Sequence, residues 1–264
     1  MGKNSDTLRR WLTWFAFTLV FAIACGFLSN WQFHRREEKL AVIERVNANY
    51  DAAPVPIEEL VIAPSAWNEA LEWRSATLSG HYLPTKAVLV RNRQKDGSPG
   101  FEQLVPFESD SGSVLFVSRG WLPTGNLQDS PDENPLPSAE PATITVRLRA
   151  SEPRIDRGAP AGQVADIDVP RAAKQLAIDN YFSKIYGRLV SETPAGPALA
   201  QLAPPAREEG NNLSYAFQWI AFGVMAFGML FWAIRQERNR ARGIIKPKKK
   251  SADEDYEDAA TTER

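Results

Sequence analysis

His34 is one of two histidines in the chain, and it stands where an uncharged run gives way to a charge run, LSNWQFHRREEK from Leu28 to Lys39. Imidazole is the side chain best suited to bind a metal or move a proton near neutral pH. On a helix Trp31 and His34 share one face, and Gln32 and Arg35 share the neighbouring one. Far along the chain Asn212, Tyr215 and Trp219 follow at helical spacing, again on one face. Two such faces at one level could hold a ring system with acidic tails, or simply each other. Anchoring at a membrane surface explains the Trp, Tyr and Arg residues without any ligand. It explains Gln32, Asn211 and Asn212 less well.

Other chemistry is sparse. One cysteine, Cys25, excludes an intramolecular disulfide framework and a cysteine-based zinc site. Two histidines exclude a histidine-rich metal centre. A net charge of -1 argues against a nucleic-acid partner. There is no Walker loop, G-x-S-x-G, H-E-x-x-H or C-x-x-C. His81 ends a strand-like run and could join a carboxylate in a catalytic set, but a solvated loop histidine is the simpler reading. Arg91, Arg93 and Lys95 alternate in RNRQK, so a strand puts them on one face. That face could contact haem propionates, lipid headgroups or an acidic surface; a solvated edge is the simpler account. Arg119, in SRGW, is structural if buried against a carboxylate and a docking group if exposed.

The elements that would position these residues begin with two long apolar runs. Residues 11–33 and 211–234 carry no charge. Each exceeds the roughly 20 residues needed to cross a bilayer as a helix, and Trp and Tyr cluster toward their ends in the pattern of aromatic belts. Lys3, Arg9 and Arg10 precede the first; Arg235, Arg238, Arg240, Arg242, Lys246 and Lys248–Lys250 follow the second. Positive flanks stay on the cytoplasmic side. Between them, His34 to Asn212 carries 19 Lys and Arg against 24 Asp and Glu, a net of -5. The expected layout is a cytoplasmic N-terminus (1–10), transmembrane helix (11–33), extracytoplasmic domain (34–210), second transmembrane helix (211–234) and a disordered cytoplasmic tail (235–264), in a bacterial plasma membrane. AIAC before Gly26 weakly resembles a lipoprotein cleavage box, but cutting there would strand GFLSNWQF outside the membrane.

The middle segment changes period from helix to strand. Leu40, Ile43 and Val46 continue a helix until Pro54 and Pro56 break it. Alternating runs follow from Trp73, Lys86, Phe101, Ser113, Ala142 and Lys184, separated by turn signals. KDGSPG reads as a hairpin loop with Gly97 and Gly100 at positive φ, SDSG as another, and Pro170–Asn180 as a short helix. The expected fold class is membrane α+β, with two transmembrane helices flanking an antiparallel β-rich domain, barrel- or sandwich-like, with one or two short helices.

Four stretches together resemble the Surfeit locus protein 1 (Shy1-like) family of cytochrome c oxidase assembly factors. The first is Trp31-Gln32-x-x-Arg35 with Lys39. The second is the hairpin with Arg93, Asp96, Gly97, Gly100, Phe101 and Pro106. The third is Val117, Arg119, Gly120, Trp121, Leu122 and Pro123, and the fourth Asn211, Leu213, Tyr215, Ala216 and Trp219. Each motif alone is weak; four in order between two spans are specific. The resemblance implies a non-enzymatic protein that assists haem a insertion into the oxidase catalytic subunit, near the haem a synthase and in the lipid bilayer. The alternative is a stable accessory subunit without haem. Many family members carry a histidine where Asn212 stands, and an amide is a poor iron ligand beside imidazole. His34 is then the substitute candidate for transient haem a, with Tyr215, Asn212 and Trp219 around it.

Overall fold

The computed structural model describes residues 2–126 and 128–244. It divides into two compact units, one of residues up to Lys39 with those from Glu209 onward, the other Leu40–Glu208.

The first unit is a helix pair. Helix α1 runs Gly2–Asn49 without a break, its last ten residues belonging to the second unit, and the final helix spans Asn212–Ala241. Both are long and apolar enough to cross a membrane, and only 11% and 6% of their most apolar stretches is buried. The core helix of a soluble protein would be mostly buried, so these helices leave their apolar surface for another solvent. What is shielded is a narrow stripe. On α1 it passes through Thr18, Ala22, Cys25, Ser29, Gln32 and Arg36; on the last helix through Asn212, Ala216, Trp219, Gly223 and Ala226. The spacing alternates between three and four, the seam of an antiparallel coiled-coil pair. Small residues line its centre, where a Cβ at Gly223 would lie 3.7 Å from that of Cys25. Such residues let helices approach closely where lipid removes any hydrophobic drive to associate. Phe15 meets Phe227, Phe33 meets Phe217, and Arg10 pairs with Glu237. The helix continues past the expected end of the span at Ile234, so residues 235–241, expected in the disordered tail, are helical. Arg238 and Arg240 complement the helix's negative end. Gly243, at φ 74°, closes it as the amides of Gly243 and Ile244 bond back to Arg240 and Asn239. The expected disorder of 245–264 lies outside the described residues.

The second unit is a small barrel. In chain order its elements are β1 (Val55–Pro56), α2 (Ile57–Leu60), β2 (Ser75–Tyr82), β3 (Val88–Lys95), β4 (Ser98–Ser109), β5 (Val114–Pro123), β6 (Pro141–Ala150), β7 (Gln163–Val164), α3 (Val169–Gln175) and β8 (Ile185–Thr193), and the membrane-type helix Asn212–Ala241 is α4. Strands β2, β6, β8, β5 and β4 are neighbours in that order, and β4 pairs back onto β2 through Gly80–Ser109 to Tyr82–Phe107, closing the ring. The sheet is not wholly antiparallel as expected, since β5 and β8 run parallel. A closed ring of five strands cannot alternate direction all the way round, so one parallel pair is obligatory. Inside lie Ala76, Leu78, Val105, Phe107, Leu115, Val117, Ile144 and Val146. A second core under α3 takes Leu104, Val114 and Phe116 from the opposite faces of β4 and β5. Burial on both faces is why LVPF (104–107) and VLFV (114–117) read as continuous apolar runs.

The β3–β4 hairpin turns on two residues, Asp96 (φ 51°) and Gly97 (φ 79°), the geometry that matches strand twist. Gly100, expected at positive φ, lies instead within β4. Its reason is contact: a Cβ there would fall 2.3 Å from the Leu122 carbonyl oxygen and 2.5 Å from the Trp121 ring. Helix α3 is shorter than expected: Leu176 caps it and Ala177 turns to φ 50° two residues past its end.

Candidate functional site

At the end of the helix pair, the shielded stripe holds Gln32, Arg36, Asn212 and Trp219, and Arg36 reaches Glu209 at 3.0 Å. Trp31 and His34 fall to one side of it. Trp31 is exposed, and His34 keeps its Nδ1 3.4 Å from the Glu37 carboxylate one turn on. Arg35 bonds Glu38 at 2.7 Å. Tyr215 is half exposed, and the Trp219 ring meets Phe222 edge-on at 5.8 Å. Among the described residues, His34 therefore makes no hydrogen bond, ion pair or ring contact with Asn212, Tyr215 or Trp219. The expected meeting of two polar-aromatic faces reduces to Gln32, Asn212 and Trp219 on the seam. The helical period explains this: a seam through positions 29, 32 and 36 turns positions 31 and 34 outward. Among the described residues the buried Asn212 Nδ2 has no hydrogen-bond partner.

The motif residues of the barrel assemble into one network. Arg119 is 1% exposed. Its guanidinium donates to Gln103 Oε1 at 2.9 Å, Glu192 Oε1 at 2.7 Å and the Pro197 carbonyl at 3.2 Å. The Tyr82 hydroxyl donates to the other Glu192 oxygen at 2.8 Å. Burial, then the neighbouring Glu192 charge, pushes the Tyr82 phenol above its ordinary pKa. Gln103 donates in turn to Asn134 Oδ1 and the Pro135 carbonyl, at 2.6 and 3.0 Å. Arg119 thus ties the loop 194–201 to the barrel wall directly, and Gln103 ties the β5–β6 loop to the same network. Gly120 lets the loop 194–201 close: a Cβ there would stand 2.6 Å from Leu199. Trp121, whose amide bonds Ala200 at 2.7 Å, lays its ring over Gly100 and donates its indole N–H to the Arg93 carbonyl at 2.9 Å.

Arg93 bonds Glu152 at 2.6 Å and lies 3.3 Å from Glu102, whose other oxygen accepts from Ser118. Burial alone would lower the Arg93 pKa; the bond to Glu152 and the charges of Glu102 and Glu152 more than offset it and hold it above the ordinary value. Pro106 is buried in β4, its carbonyl accepting from the Leu83 amide at 2.9 Å. Arg91 pairs with Asp129 and Lys95 with Asp96, so the alternating basic face is neutralised locally. His81 lies on β2, 3.6 Å from Glu108, both groups partly exposed. Arg119 and Arg93 thus take the structural reading. Sequence reasoning missed Tyr82, Glu102, Gln103, Glu152 and Glu192. The adjacent polar pair Glu102-Gln103 inside an apolar strand was the available signal; nothing local marks Glu192, 73 positions from Arg119.

The SURF1 family model matches residues 19–224. An uncharacterized SURF1-like protein of Mycobacterium tuberculosis is 31% identical over 239 residues, 87% of this chain and 86% of that one. Surfeit locus protein 1 of Rattus norvegicus is 26% identical over 254 residues, 88% of this chain and 78% of its own length. The cytochrome oxidase assembly protein SHY1 of Saccharomyces cerevisiae is 29% identical over 107 residues, 39% of this chain and 27% of that protein.

Proposed function

The chain belongs to the SURF1 family, and from that premise we propose that it is an assembly factor for haem-copper cytochrome c oxidase, assisting haem a on its way into the catalytic subunit. The observation that carries the reading is the family match over residues 19–224, the barrel and part of each apolar helix, joined to a relative named for oxidase assembly. In this reading α1 and α4 cross a bacterial plasma membrane with both ends cytoplasmic. The basic flanks at Lys3, Arg9 and Arg10 and at Arg235 to Arg242 support that orientation. The unit Leu40–Glu208 then lies outside. It acts by holding and handing over rather than by catalysis.

Haem a, as cargo, is held where α1 leaves the membrane. The donor set fits one imidazole ligand. Metal-bound histidines commonly present their second ring nitrogen to a carboxylate, and His34 has Glu37 at 3.4 Å from Nδ1, leaving Nε2 for iron. Asn212 and Trp219 lie on the shielded seam, which turns His34 outward, so His34 with Glu37 is the ligand candidate and the seam residues stand apart from it. Capture tests the reading. A tagged chain retained with the catalytic subunit in cells blocked in haem a synthesis, and released from mature oxidase, is the expected result. Stoichiometric retention with the mature enzyme contradicts it and favours an accessory subunit.

A further inference from the structure

The outer face of β6 and β8 holds an arrangement that the oxidase reading does not use. Neighbouring strands turn alternate side chains in and out. Val146, Leu148 and Leu189 point into the barrel core, so Arg147, Arg149 and Arg188 share the outer face. Register sets Arg147 directly opposite Arg188, and Ser118 of β5 beside Arg188 on its other flank. Like charges directly opposite across a sheet repel, and a folded protein normally answers them with carboxylates.

Here the carboxylates are already spoken for. Glu72 is shared by Arg149 at 3.1 Å and Arg45 at 3.3 Å. Asp51 takes Arg207 at 2.9 Å, Glu192 takes Arg119, and Glu102 and Glu152 take Arg93. Among the described residues Arg147 has one hydrogen bond, from Nε to the Tyr50 carbonyl at 3.2 Å, and lies 3.7 Å over the Tyr50 ring. Among the described residues the Arg188 guanidinium has no hydrogen bond or ion pair, only the Trp73 ring at 5.5 Å. Burial draws its pKa below the ordinary value, and Glu102 offsets this only in part.

Arg147 and Arg188 line a cavity of about 30 Å³ with Tyr50, Trp73, Ser118 and Gln201. That is room for one or two waters, or for the oxygens of a single carboxylate or phosphate. The wall is built at a cost. Trp73 sits at φ 71°, a region that bulky residues rarely enter, and it is pinned by its amide bond to the Leu148 carbonyl at 2.8 Å. This places its ring 3.9 Å from Arg149 and against Arg188. Backbone strain of this kind persists where the surroundings over-determine it, and it gathers at ligand clamps. Gln201 is fixed in turn by its bond to the Arg119 carbonyl at 3.2 Å.

We propose that Arg147 and Arg188 form an oxyanion site that binds the carboxylate or phosphate head of a small ligand between their two forks. Guanidinium groups present paired N–H donors that match such oxygens. The cavity admits the charged head, and the remainder of the ligand stays outside. The proposal stands independently of haem a and of His34.

The test is thermal unfolding of the full chain in detergent at constant ionic strength, titrated separately with inorganic phosphate and with acetate. Wild type shows a saturable rise in midpoint with at least one anion. A response to phosphate alone assigns a phosphate-bearing ligand, to acetate alone a carboxylate-bearing one, to both an unselective oxyanion site. Arg147→Gln and Arg188→Gln, relieved of their repulsion, unfold no earlier than wild type without anion and bind it at least about tenfold more weakly. Arg188→Lys, which keeps the charge but loses the fork, gives an intermediate loss and substitutes if either glutamine variant misfolds. Arg154→Gln, altering a guanidinium 65% exposed beside Asp156, leaves the response unchanged. No saturable response in wild type to either anion, or an undiminished response in Arg188→Gln, overturns the proposal.

Discussion

Arg119 is a motif residue and His34 the candidate ligand beside the seam, and their surroundings assign them opposite work. Arg119 is enclosed, with three acceptors fitted to it and the Tyr82 ring 5.4 Å away. Such a group specifies structure. Among the described residues, Arg119→Met leaves the Glu192 carboxylate, 10% exposed, with only Tyr82 and the Gly196 amide as partners. Breaking a buried ion pair from one side costs about 3–5 kcal/mol, so thermal unfolding in detergent comes far earlier. Arg119→Lys recovers only part of the loss, because one ammonium cannot reach Gln103, Glu192 and Pro197 together. His34, by contrast, is 65% exposed and carries nothing in the fold. His34→Ala leaves the melting curve of the apo protein within about 0.5 kcal/mol of wild type. If His34 is the haem a ligand, the protein purified from cells making haem a shows a haem a absorbance that this variant loses. Equal haem a absorbance in both removes His34 from the account.

At the scale of elements, the helix pair offers the sharper test. A Cβ at Gly223 lies 3.7 Å from that of Cys25, within the roughly 3.5–4.5 Å that a disulfide spans. Gly223→Cys therefore cross-links to Cys25 on mild oxidation, holding α1 and α4 together after proteolysis of the barrel. Gly228→Cys, whose Cβ would meet nothing within 4 Å, does not. Absence of the Gly223→Cys bond contradicts the pairing.

Much of this level was legible in the sequence. Uncharged length marked both helices, and alternation with turn residues marked β2 to β6 and β8. What escaped depends on partners distant in the chain. The direction of β8 beside β5 follows from ring closure, which no local pattern records. Gly100 reads as a turn residue until the Trp121 ring is seen to lie on it. The seam was misread because polar and aromatic residues at helical spacing locate a face, but only the small residues Ala22, Cys25, Ala216 and Gly223 reveal which face meets the other helix. The Arg147–Arg188 pair was invisible, since its opposition is a matter of register.

On the scale of the whole molecule, the protein joins a lipid-suited helix pair to a barrel whose motif residues are spent on its own rigidity. Arg93, Gly100, Arg119, Gly120 and Trp121 brace loops against strands, so the recognisable motifs describe how the barrel is built more than what it touches. Function must then reside in surfaces those motifs support. The central claim, oxidase assembly, is tested most directly by the reduced-minus-oxidised spectrum of membranes from a strain lacking this chain, read beside an immunoblot for the oxidase catalytic subunit. The account predicts haem aa3 absorbance well below wild type while the subunit is still made, restored by the intact gene. Wild-type absorbance and oxidase activity in the deletion strain would contradict it.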